Sequence, residues 1–276
     1  MLIDLHTHST ASDGALSPSE LVAFAYECGV RTLALTDHDT VEGVAEAADA
    51  AETVGLRFIP GIEISTMWGG VCVHIVGLGV NTENPALISK TRELCQLRDS
   101  RASRIAERFS QLGIEGMLEA VLELAGNEKN ISRLHFARAL IAKGIVNNEQ
   151  RAFDQYLSEG GKAYVPAPWG TVAEAVELIH SAGGLAVIAH PGRYKFKQPW
   201  QTDALVQDFV RAGGEGIEVV SGSQSPSYTQ QGVIFATQYH LLASLGSDFH
   251  RIDGIRPKPG EQGQLPDGLT SVLTRL

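Results

Sequence analysis

Two histidines near the start of the chain, His6 and His8, have the spacing of a metal-binding pair. They follow the apolar residues Leu2, Ile3 and Leu5, which predict a short buried strand. In an extended chain, residues two apart share a face, so both imidazole rings point to the same side. Neutral imidazole is the commonest side-chain ligand of protein-bound metals. A metal site is therefore predicted here if other strands deliver further ligands to the same end.

Further candidate ligands lie in or just after the later predicted strands. They are His38 after residues 32–36, Glu63 in residues 58–64, His74 within residues 71–76, His190 after residues 185–189, and Asp248 with His250 after residues 241–245. In parallel α/β folds the carboxyl ends of the strands open on one face, where catalytic groups collect. Histidine and carboxylate ligands favour Mn²⁺, Zn²⁺ or Fe²⁺ over a structural zinc finger or a calcium site. The pattern predicts several divalent metals on one face.

The elements that must position these residues alternate as strand and helix through residues 1–84 and again through residues 165–276. This alternation predicts an α/β fold with a parallel sheet or barrel. Between these two parts, residues 85–164 have a helical pattern without clear strands. We therefore predict one barrel in two sequence parts, interrupted by an inserted helical subdomain.

Composition limits the classes of partner. The chain has 276 residues, is 43% hydrophobic and carries a formal net charge of -10, which argues against a broad surface for duplex DNA or a membrane. Its three cysteines do not form a disulfide framework and suit a reducing compartment. The N-terminal residues lack the pattern of a signal peptide. A cytoplasmic protein is expected, and the sequence does not specify its oligomeric state.

Five segments resemble the motifs of the polymerase and histidinol phosphatase (PHP) family. They are DLHTH at residues 4–8, TDHD at 36–39, GIE at 61–63, AHPG at 189–192 and SDFH at 247–250. The helical insertion and the segment ISRLHFAR at residues 131–138 are similar to the branch of 3′,5′-nucleoside bisphosphate phosphatases. That branch includes a relative that trims RNA from its 5′ end. The resemblance implies a distorted (β/α)7 barrel with three divalent metals.

Transferred position by position, the resemblance implies how the ligands are divided among the metals. His6, His8, Glu63 and Asp248 would hold the first metal, with Glu63 bridging to a second that His74 and His190 complete, and Asp13, His38 and His250 holding the third. Glu63, His190 and Asp248 would be catalytic, with Mn²⁺ the first candidate metal and Fe²⁺ or Zn²⁺ the alternatives. Two of these residues have structural alternatives, because Asp13 could begin a helix and His74 could be a hydrogen-bonded core histidine.

A second phosphate on the substrate requires cations. The candidates for substrate binding are Arg98, Arg101, Arg133, His135 and Arg193. The arginine fork matches phosphate oxygens in a bidentate way and stays charged at any relevant pH. His135 could instead cap a helix, and the neighbouring Arg104 and Arg108 are better explained as a solvated helix face. Glu218, at the end of another strand, has no predicted role beyond a polar network.

The expected function is hydrolysis of the 3′-phosphate of a 3′,5′-nucleoside bisphosphate, through in-line attack by a metal-bridging hydroxide. The nearest alternative is a 5′-3′ exoribonuclease that uses the same site on short RNA. A phosphatase of histidinol phosphate or phosphotyrosine would not need the inserted arginines. A non-catalytic metal-binding module would tolerate missing ligands, and this chain lacks none of the nine.

Overall fold

The computed structural model describes residues 2–125, 129–167, 169–222, 224–254 and 256–276. Residues 126–128 of the predicted insertion lie outside the described residues. The strands are β1 (Leu2–Asp4), β2 (Val30–Leu35), β3 (Arg57–Trp68), β4 (Val71–Leu78), β5 (Gly170–Thr171), β6 (Leu185–Ile188), β7 (Gly216–Ser221) and β8 (Leu242–Gly246). The helices are α1 (Pro18–Glu27), α2 (Val44–Val54), α3 (Pro85–Gln111), α4 (Met117–Leu124), α5 (Arg133–Ala142), α6 (Glu149–Ala152), α7 (Val172–Ser181), α8 (Trp200–Arg211) and α9 (Pro226–Gln238).

Local signals in the sequence fix several helix ends. At the start of α1, Ser17 and Glu20 form a capping box, and Pro18 occupies the first turn. Thr171 and Glu174 form the same reciprocal cap on α7. Helix α2 ends at Gly55, whose φ of 71° places it in the left-handed conformation that glycine adopts without strain.

The barrel consists of seven strands in the order β1-β2-β3-β4-β6-β7-β8, with β5 pairing separately to β3. The predicted barrel is therefore confirmed. The prediction of parallel strands is wrong at β4, which runs antiparallel to both β3 and β6. The reason is the turn at Gly69 and Gly70, whose φ angles of 56° and 80° suit a tight hairpin. No crossover helix intervenes between β3 and β4, so the chain reverses directly.

Backbone hydrogen bonds across the β1 and β8 ends bring the last strand back to the first. The Leu5 N–H donates to the Leu245 carbonyl at 3.0 Å, and the Asp248 N–H donates to the His6 carbonyl at 2.8 Å. The buried carboxylate of Asp4 accepts the Ser247 N–H at 2.9 Å and the Gly260 N–H at 3.0 Å. These contacts hold the carboxyl ends of β1 and β8 side by side, so their ligand-bearing extensions meet.

The hydrophobic interior is divided into clusters, and α3 spans two of them. Leu87 and Leu94 in its first half pack into the barrel core. Ile105 and Phe109 in its second half belong to a separate cluster, formed by residues from within 102–165. The division into a barrel, residues 1–84 and 165–276, and an inserted subdomain, residues 85–164, stays a prediction that this second cluster supports. None of the helices in the described residues has the length and apolar character of a membrane span.

Candidate metal centre

All nine predicted ligands converge at one end of the barrel. Among the described residues, three groups of possible metal ligands have donor atoms within 4.8 Å of one another, namely His6, His8, Glu63 and Asp248; His8, Asp13, His38 and His250; and His38, Glu63 and His74. The first group coincides with the set predicted for one metal. The second adds His8 to the predicted set, and the third has His38 where His190 was predicted. His190 is nevertheless adjacent, with its Nε2 3.0 Å from Glu63 Oε1.

Glu63 lies at the middle of the cluster and is fully buried. Its Oε1 lies 2.9 Å from His74 Nδ1 and 3.0 Å from His190 Nε2, while its Oε2 lies 2.8 Å from His38 Nδ1. Burial by itself raises the pKa of this carboxyl group, but His38, His74 and His6 together hold it well below its usual value. Glu63 is therefore an anion that several imidazole rings surround.

The cluster contains buried polar atoms that have no hydrogen bond within the described part of the chain. They are His6 Nε2, His8 Nδ1, Asp13 Oδ1, His38 Nδ1, Glu63 Oε2, His74 Nδ1 and His190 Nδ1. His38 Nδ1 and His74 Nδ1 lie close to Glu63 oxygens without forming hydrogen bonds to them. Buried polar atoms are nearly always hydrogen-bonded, so this group of atoms needs an explanation. Imidazole nitrogens and carboxylate oxygens in this number are a donor set for divalent cations. The residues present therefore fit the metals that the sequence implies.

The protonation of His8 also suits metal binding. Burial, and then the positive charges of His250 and His38, lower the pKa of His8 to about 3. A neutral imidazole keeps a lone pair available for a cation. Burial would likewise lower the pKa of His250, but Asp13 and Asp248 raise it above its usual value. Asp13 and Asp248 thus favour the protonated form of His250, whereas His8 stays neutral.

Three residues in or beside the predicted ligand set have a positive φ angle, a backbone conformation that residues other than glycine rarely adopt. Asp39, His190 and Asp248 have φ angles of 55°, 28° and 52°. Such conformations cost about 1–3 kcal/mol each and persist only where surrounding contacts enforce them. Each of the three lies just after a strand, at the end of the barrel where the ligands meet.

A cavity of about 220 Å³ adjoins the ligands. It is lined by Asp13, His38, His74 and His250 together with Arg98, Arg101, Arg133, Arg256, Ser65, Cys72, Ser132, Leu134, Phe153 and Trp169. The Arg98 and Arg101 guanidinium carbons lie 5.2 and 6.0 Å from the Trp169 ring centre. Predicted metal ligands and predicted phosphate-binding arginines therefore share the walls of one cavity.

Arg98, Arg101 and Arg133, three of the four arginines on the cavity wall, differ in their existing partners. Arg98 forms a buried ion pair with Asp39 at 2.6 Å and donates to Ser65 Oγ at 2.9 Å. Arg101 donates to the Val165 carbonyl at 2.8 Å, and neither Arg101 nor Arg133 has a carboxylate partner among the described residues. Burial, followed by the like charges of Arg133 and Arg98, lowers the pKa of Arg101 to about 10. An anion bound here would relieve that repulsion.

The other two predicted substrate-binding residues have partners of their own. His135 is buried in the first turn of α5, where its Nδ1 accepts the Ser132 N–H at 3.0 Å, and it is absent from the cavity wall. This contact is the helix cap that the sequence offers as an alternative. Arg193 forms an ion pair with Asp248 and donates to Ser221 Oγ at 3.2 Å. Arg193 therefore lies beside a predicted ligand.

Sequence reasoning missed the acidic residues that support the ligands. Asp37 accepts the Ser9 N–H at 2.7 Å, and burial raises the pKa of Asp37 to about 6. Asp39 holds Arg98 and accepts the Ser65 N–H at 2.7 Å. Both flank His38 in the segment TDHD, where their position beside a candidate ligand was the available signal. Glu218, an acidic residue within an apolar strand, contacts two of the ligand residues.

Comparisons with known sequences agree on the type of domain. A family model described as "PHP domain" matches residues 4–204. A protein named 5′-3′ exoribonuclease from Haemophilus influenzae is 43% identical over 247 residues, which cover 90% of this chain and 89% of that protein. A protein named 3′,5′-nucleoside bisphosphate phosphatase from Chromobacterium violaceum is 42% identical over 262 residues, which cover 95% and 89%. The chain is 43% identical to one relative and 42% identical to the other, so sequence identity does not distinguish between the two activities.

Two solved structures extend the similarity to three dimensions. An amidohydrolase from Chromobacterium violaceum, with bound sulfate and no metal, has a TM-score of 0.95 at 40% identity over 100% of this chain and 95% of that one. A protein described as a metal-dependent phosphoesterase from Bifidobacterium adolescentis has a TM-score of 0.80 at 30% identity over 99% and 93%. The barrel and the helical region inserted into it are thus shared with proteins of known structure.

Proposed function

Because the chain belongs to the PHP domain family and is a metal-dependent phosphoester hydrolase, we propose that it removes the 3′-phosphate of 3′,5′-nucleoside bisphosphates. The observation that carries this proposal is the shared cavity. Its walls contain predicted metal ligands, such as His38 and His74, and the arginines Arg101 and Arg133. A substrate with two phosphates on one small sugar needs metal ligands near one phosphate and arginines near the other, within a short distance.

The charges around the cavity support an anionic substrate despite the net charge of -10. In our proposal, Arg101 and Arg133 bind the phosphate that is not cleaved, because both lack a carboxylate partner among the described residues. Arg98 is already paired with Asp39. In this proposal it adds positive charge to the cavity and helps to orient the neighbouring residues of the cavity wall. His135 contributes by fixing the start of α5, which carries Arg133. Arg193 would approach the reacting phosphate from beside Asp248.

The nine ligands have defined tasks in this proposal. His6, His8, Glu63 and Asp248 would hold one divalent cation, His74 and His190 with Glu63 would hold a second, and Asp13, His38 and His250 would hold a third. When bound, such metals supply an activated water and neutralise charge on the phosphoryl oxygens. Three as the number of metals, and Mn²⁺ as the native one, are parts of the proposal. The buried surroundings of Glu63, His190 and Asp248 limit access of bulk water to the reacting phosphate.

A 5′-3′ exoribonuclease that acts on short RNA is the second candidate. It is favoured by the relative from Haemophilus influenzae that bears this name. Arg256 also lies on the cavity wall, but Glu149 already pairs with it at 2.7 Å. We favour the smaller substrate because the arginines and the predicted metal ligands line one compact cavity of about 220 Å³. We place the protein in the cytoplasm as part of the same proposal, because its three cysteines are free.

The test is a comparison of two substrates with the Mn²⁺-loaded protein. One substrate is 3′-phosphoadenosine 5′-phosphate, and the other is a short RNA with a 5′ phosphate. We expect a higher kcat/KM for the bisphosphate, with adenosine 5′-phosphate and free phosphate as products, and no turnover after chelation. Stepwise release of mononucleotides from RNA at a higher kcat/KM would replace the proposed function with the exoribonuclease.

A further inference from the structure

Glu218 is a buried acidic residue that belongs to none of the predicted ligand sets. It lies on β7 and is 3% exposed. Its Oε1 lies 3.1 Å from His6 Nδ1, and its Oε2 accepts the His190 N–H at 2.6 Å. One carboxylate therefore contacts two residues that we assign to different metals.

We propose that Glu218 is a positioning residue that sets both the ring of His6 and the backbone of His190 for metal binding. The inference rests on the metal centre of the proposed function, although it concerns metal affinity and not the substrate. It assigns a task to a strand residue for which the sequence indicated no role beyond a polar network.

The first contact determines which nitrogen of His6 is available. An ionised carboxylate can only accept hydrogen bonds, so its contact with Nδ1 requires a proton on that nitrogen. The lone pair of the neutral ring is then on Nε2, which lies 3.4 Å from Glu63 and 3.4 Å from Asp248. His6 Nε2 is also one of the buried atoms without a hydrogen bond in the described structure. Glu218 thus directs the free lone pair of His6 toward the other ligands of its group.

The second contact stabilises a backbone conformation that is otherwise unfavourable. His190 has a φ of 28° and a ψ of 56°, outside the broad regions that side-chain-bearing residues occupy. Its N–H points to the Glu218 carboxylate, and a hydrogen bond to a charged acceptor is stronger than one between neutral groups. This conformation leaves His190 Nε2 3.0 Å from Glu63 Oε1. The carboxylate therefore helps to hold the His190 ring against the central ligand.

The surrounding backbone leaves little room for Glu218 to move. A Cβ atom on Gly246 would lie 2.2 Å from the Cβ of His6 and 3.0 Å from Glu218 Oε1. Only glycine fits between β1 and β8 at this point, and the carboxylate lies against it. Gly246 therefore limits the space available to both Glu218 and His6 on this side.

The substitution Glu218→Gln tests the inference, because an amide has one accepting oxygen. The contacts with His6 Nδ1 and with the His190 N–H use different oxygens of Glu218, so an amide in the same position presents its NH₂ group to one of the two donors. Glu215 offers a matched control on the same segment, since its Oε2 is 3.0 Å from His180 Nε2 and accepts the Ala186 N–H at 3.0 Å, away from any predicted ligand. Mn²⁺ affinity is measured by competition with a chelator for the wild type, Glu218→Gln and Glu215→Gln. We expect ~10–100-fold weaker binding in Glu218→Gln alone.

A second measurement does not depend on how well a variant folds. In wild-type protein labelled with ¹⁵N-histidine and loaded with Zn²⁺, NMR should show His6 with a proton on Nδ1 and the metal on Nε2. A metal on Nδ1, or equal Mn²⁺ affinity in Glu218→Gln and wild type, would overturn the positioning role. Those outcomes leave the proposed function intact, whereas a wild type that binds metal but leaves a bisphosphate uncleaved contradicts the proposed function alone.

Discussion

At the scale of single residues, Glu63 is the group that the histidines of the cluster have in common. Its two oxygens lie within 3.4 Å of nitrogens on five rings, those of His6, His8, His38, His74 and His190. Asp248 also contacts His6 and His8, but no other carboxylate of the described residues contacts His74. We therefore expect the loss of Glu63 to weaken metal binding more than the loss of any other residue of the cluster.

The substitution Glu63→Gln should remove both metal and activity while preserving the shape of the side chain. We expect metal affinity to fall by more than ~100-fold, because the loss of a direct ligand exceeds that of a supporting contact. Metal analysis of the purified protein and phosphate release from a bisphosphate measure the two effects. The exposed Glu177→Gln on α7 is the control. A Glu63→Gln protein with normal metal content and turnover would refute the assignment.

Arg101 is the residue whose loss should distinguish one phosphate from two. We expect Arg101→Ala to raise KM for a nucleoside bisphosphate by ~10–100-fold, the value of a charged hydrogen bond of about 1.5–3 kcal/mol. KM for a simple phosphate monoester should change far less. Arg104→Ala, an exposed arginine on the same helix, is the control and should behave as wild type. Equal losses on both substrates would assign Arg101 to the structure of the wall and not to the second phosphate.

The identities of the ligand residues could be predicted because their segments follow apolar strands and resemble known motifs. The partners of those residues could not. The ion pair of Arg98 with Asp39 joins positions 59 residues apart, and the contact of Glu218 with His6 joins positions 212 apart. Such pairs form only when the barrel closes. The patterns in a single sequence do not show which distant residues this closure brings together.

At the scale of elements, α3 connects the barrel to the insertion. Its first half packs into the barrel core and its second half into the separate helical cluster. Arg98 and Arg101 lie between these halves, where the helix passes the metal centre. The position of the arginines thus follows from one 27-residue helix that is anchored at both ends.

The cap of α5 should make part of the stability of the protein depend on pH. Burial lowers the pKa of His135 from 6.5 to about 4, against the attraction of Asp13. Between these values the unfolded chain binds more protons than the folded one, so acidification through this window favours unfolding. A protonated Nδ1 also cannot accept the Ser132 N–H.

His135→Gln keeps an acceptor at the capping position but removes the titration. Chelator-treated wild type and variant are unfolded with urea at about pH 7 and about pH 4.5. We expect the wild type to lose on the order of 2 kcal/mol more free energy of unfolding than the variant on acidification. Parallel losses in the two proteins would show that His135 does not titrate in this range.

Periodicity and capping signals predicted most elements, but two features were beyond them. Strand β4 is antiparallel because the chain reverses in the turn at Gly69 and Gly70. A prediction based on alternating strands and helices does not detect this turn. The positive φ angles of Asp39, His190 and Asp248 are imposed by tertiary contacts and leave no trace in local propensity. Both features occur where the chain builds the metal centre.

At the scale of the whole molecule, a protein with a net charge of -10 concentrates cations in one cavity. Arg98, Arg101, Arg133 and Arg256 face that cavity together with predicted metal ligands. The acidic remainder of the surface disfavours long nucleic acids, whose binding depends on neutralising many phosphates. The overall charge and the local charge thus act together to favour a small anionic substrate.

The most direct test of this account is a reaction of 3′-phosphoadenosine 5′-phosphate with the Mn²⁺-loaded protein in ¹⁸O-labelled water, followed by mass spectrometry of both products. Attack of water on the phosphorus of the 3′-phosphate predicts inorganic phosphate with one ¹⁸O atom and unlabelled adenosine 5′-phosphate. Adenosine 3′-phosphate as the product, or no phosphate release from protein with its metals bound, would contradict the central claim that this cavity is a bisphosphate 3′-phosphatase site.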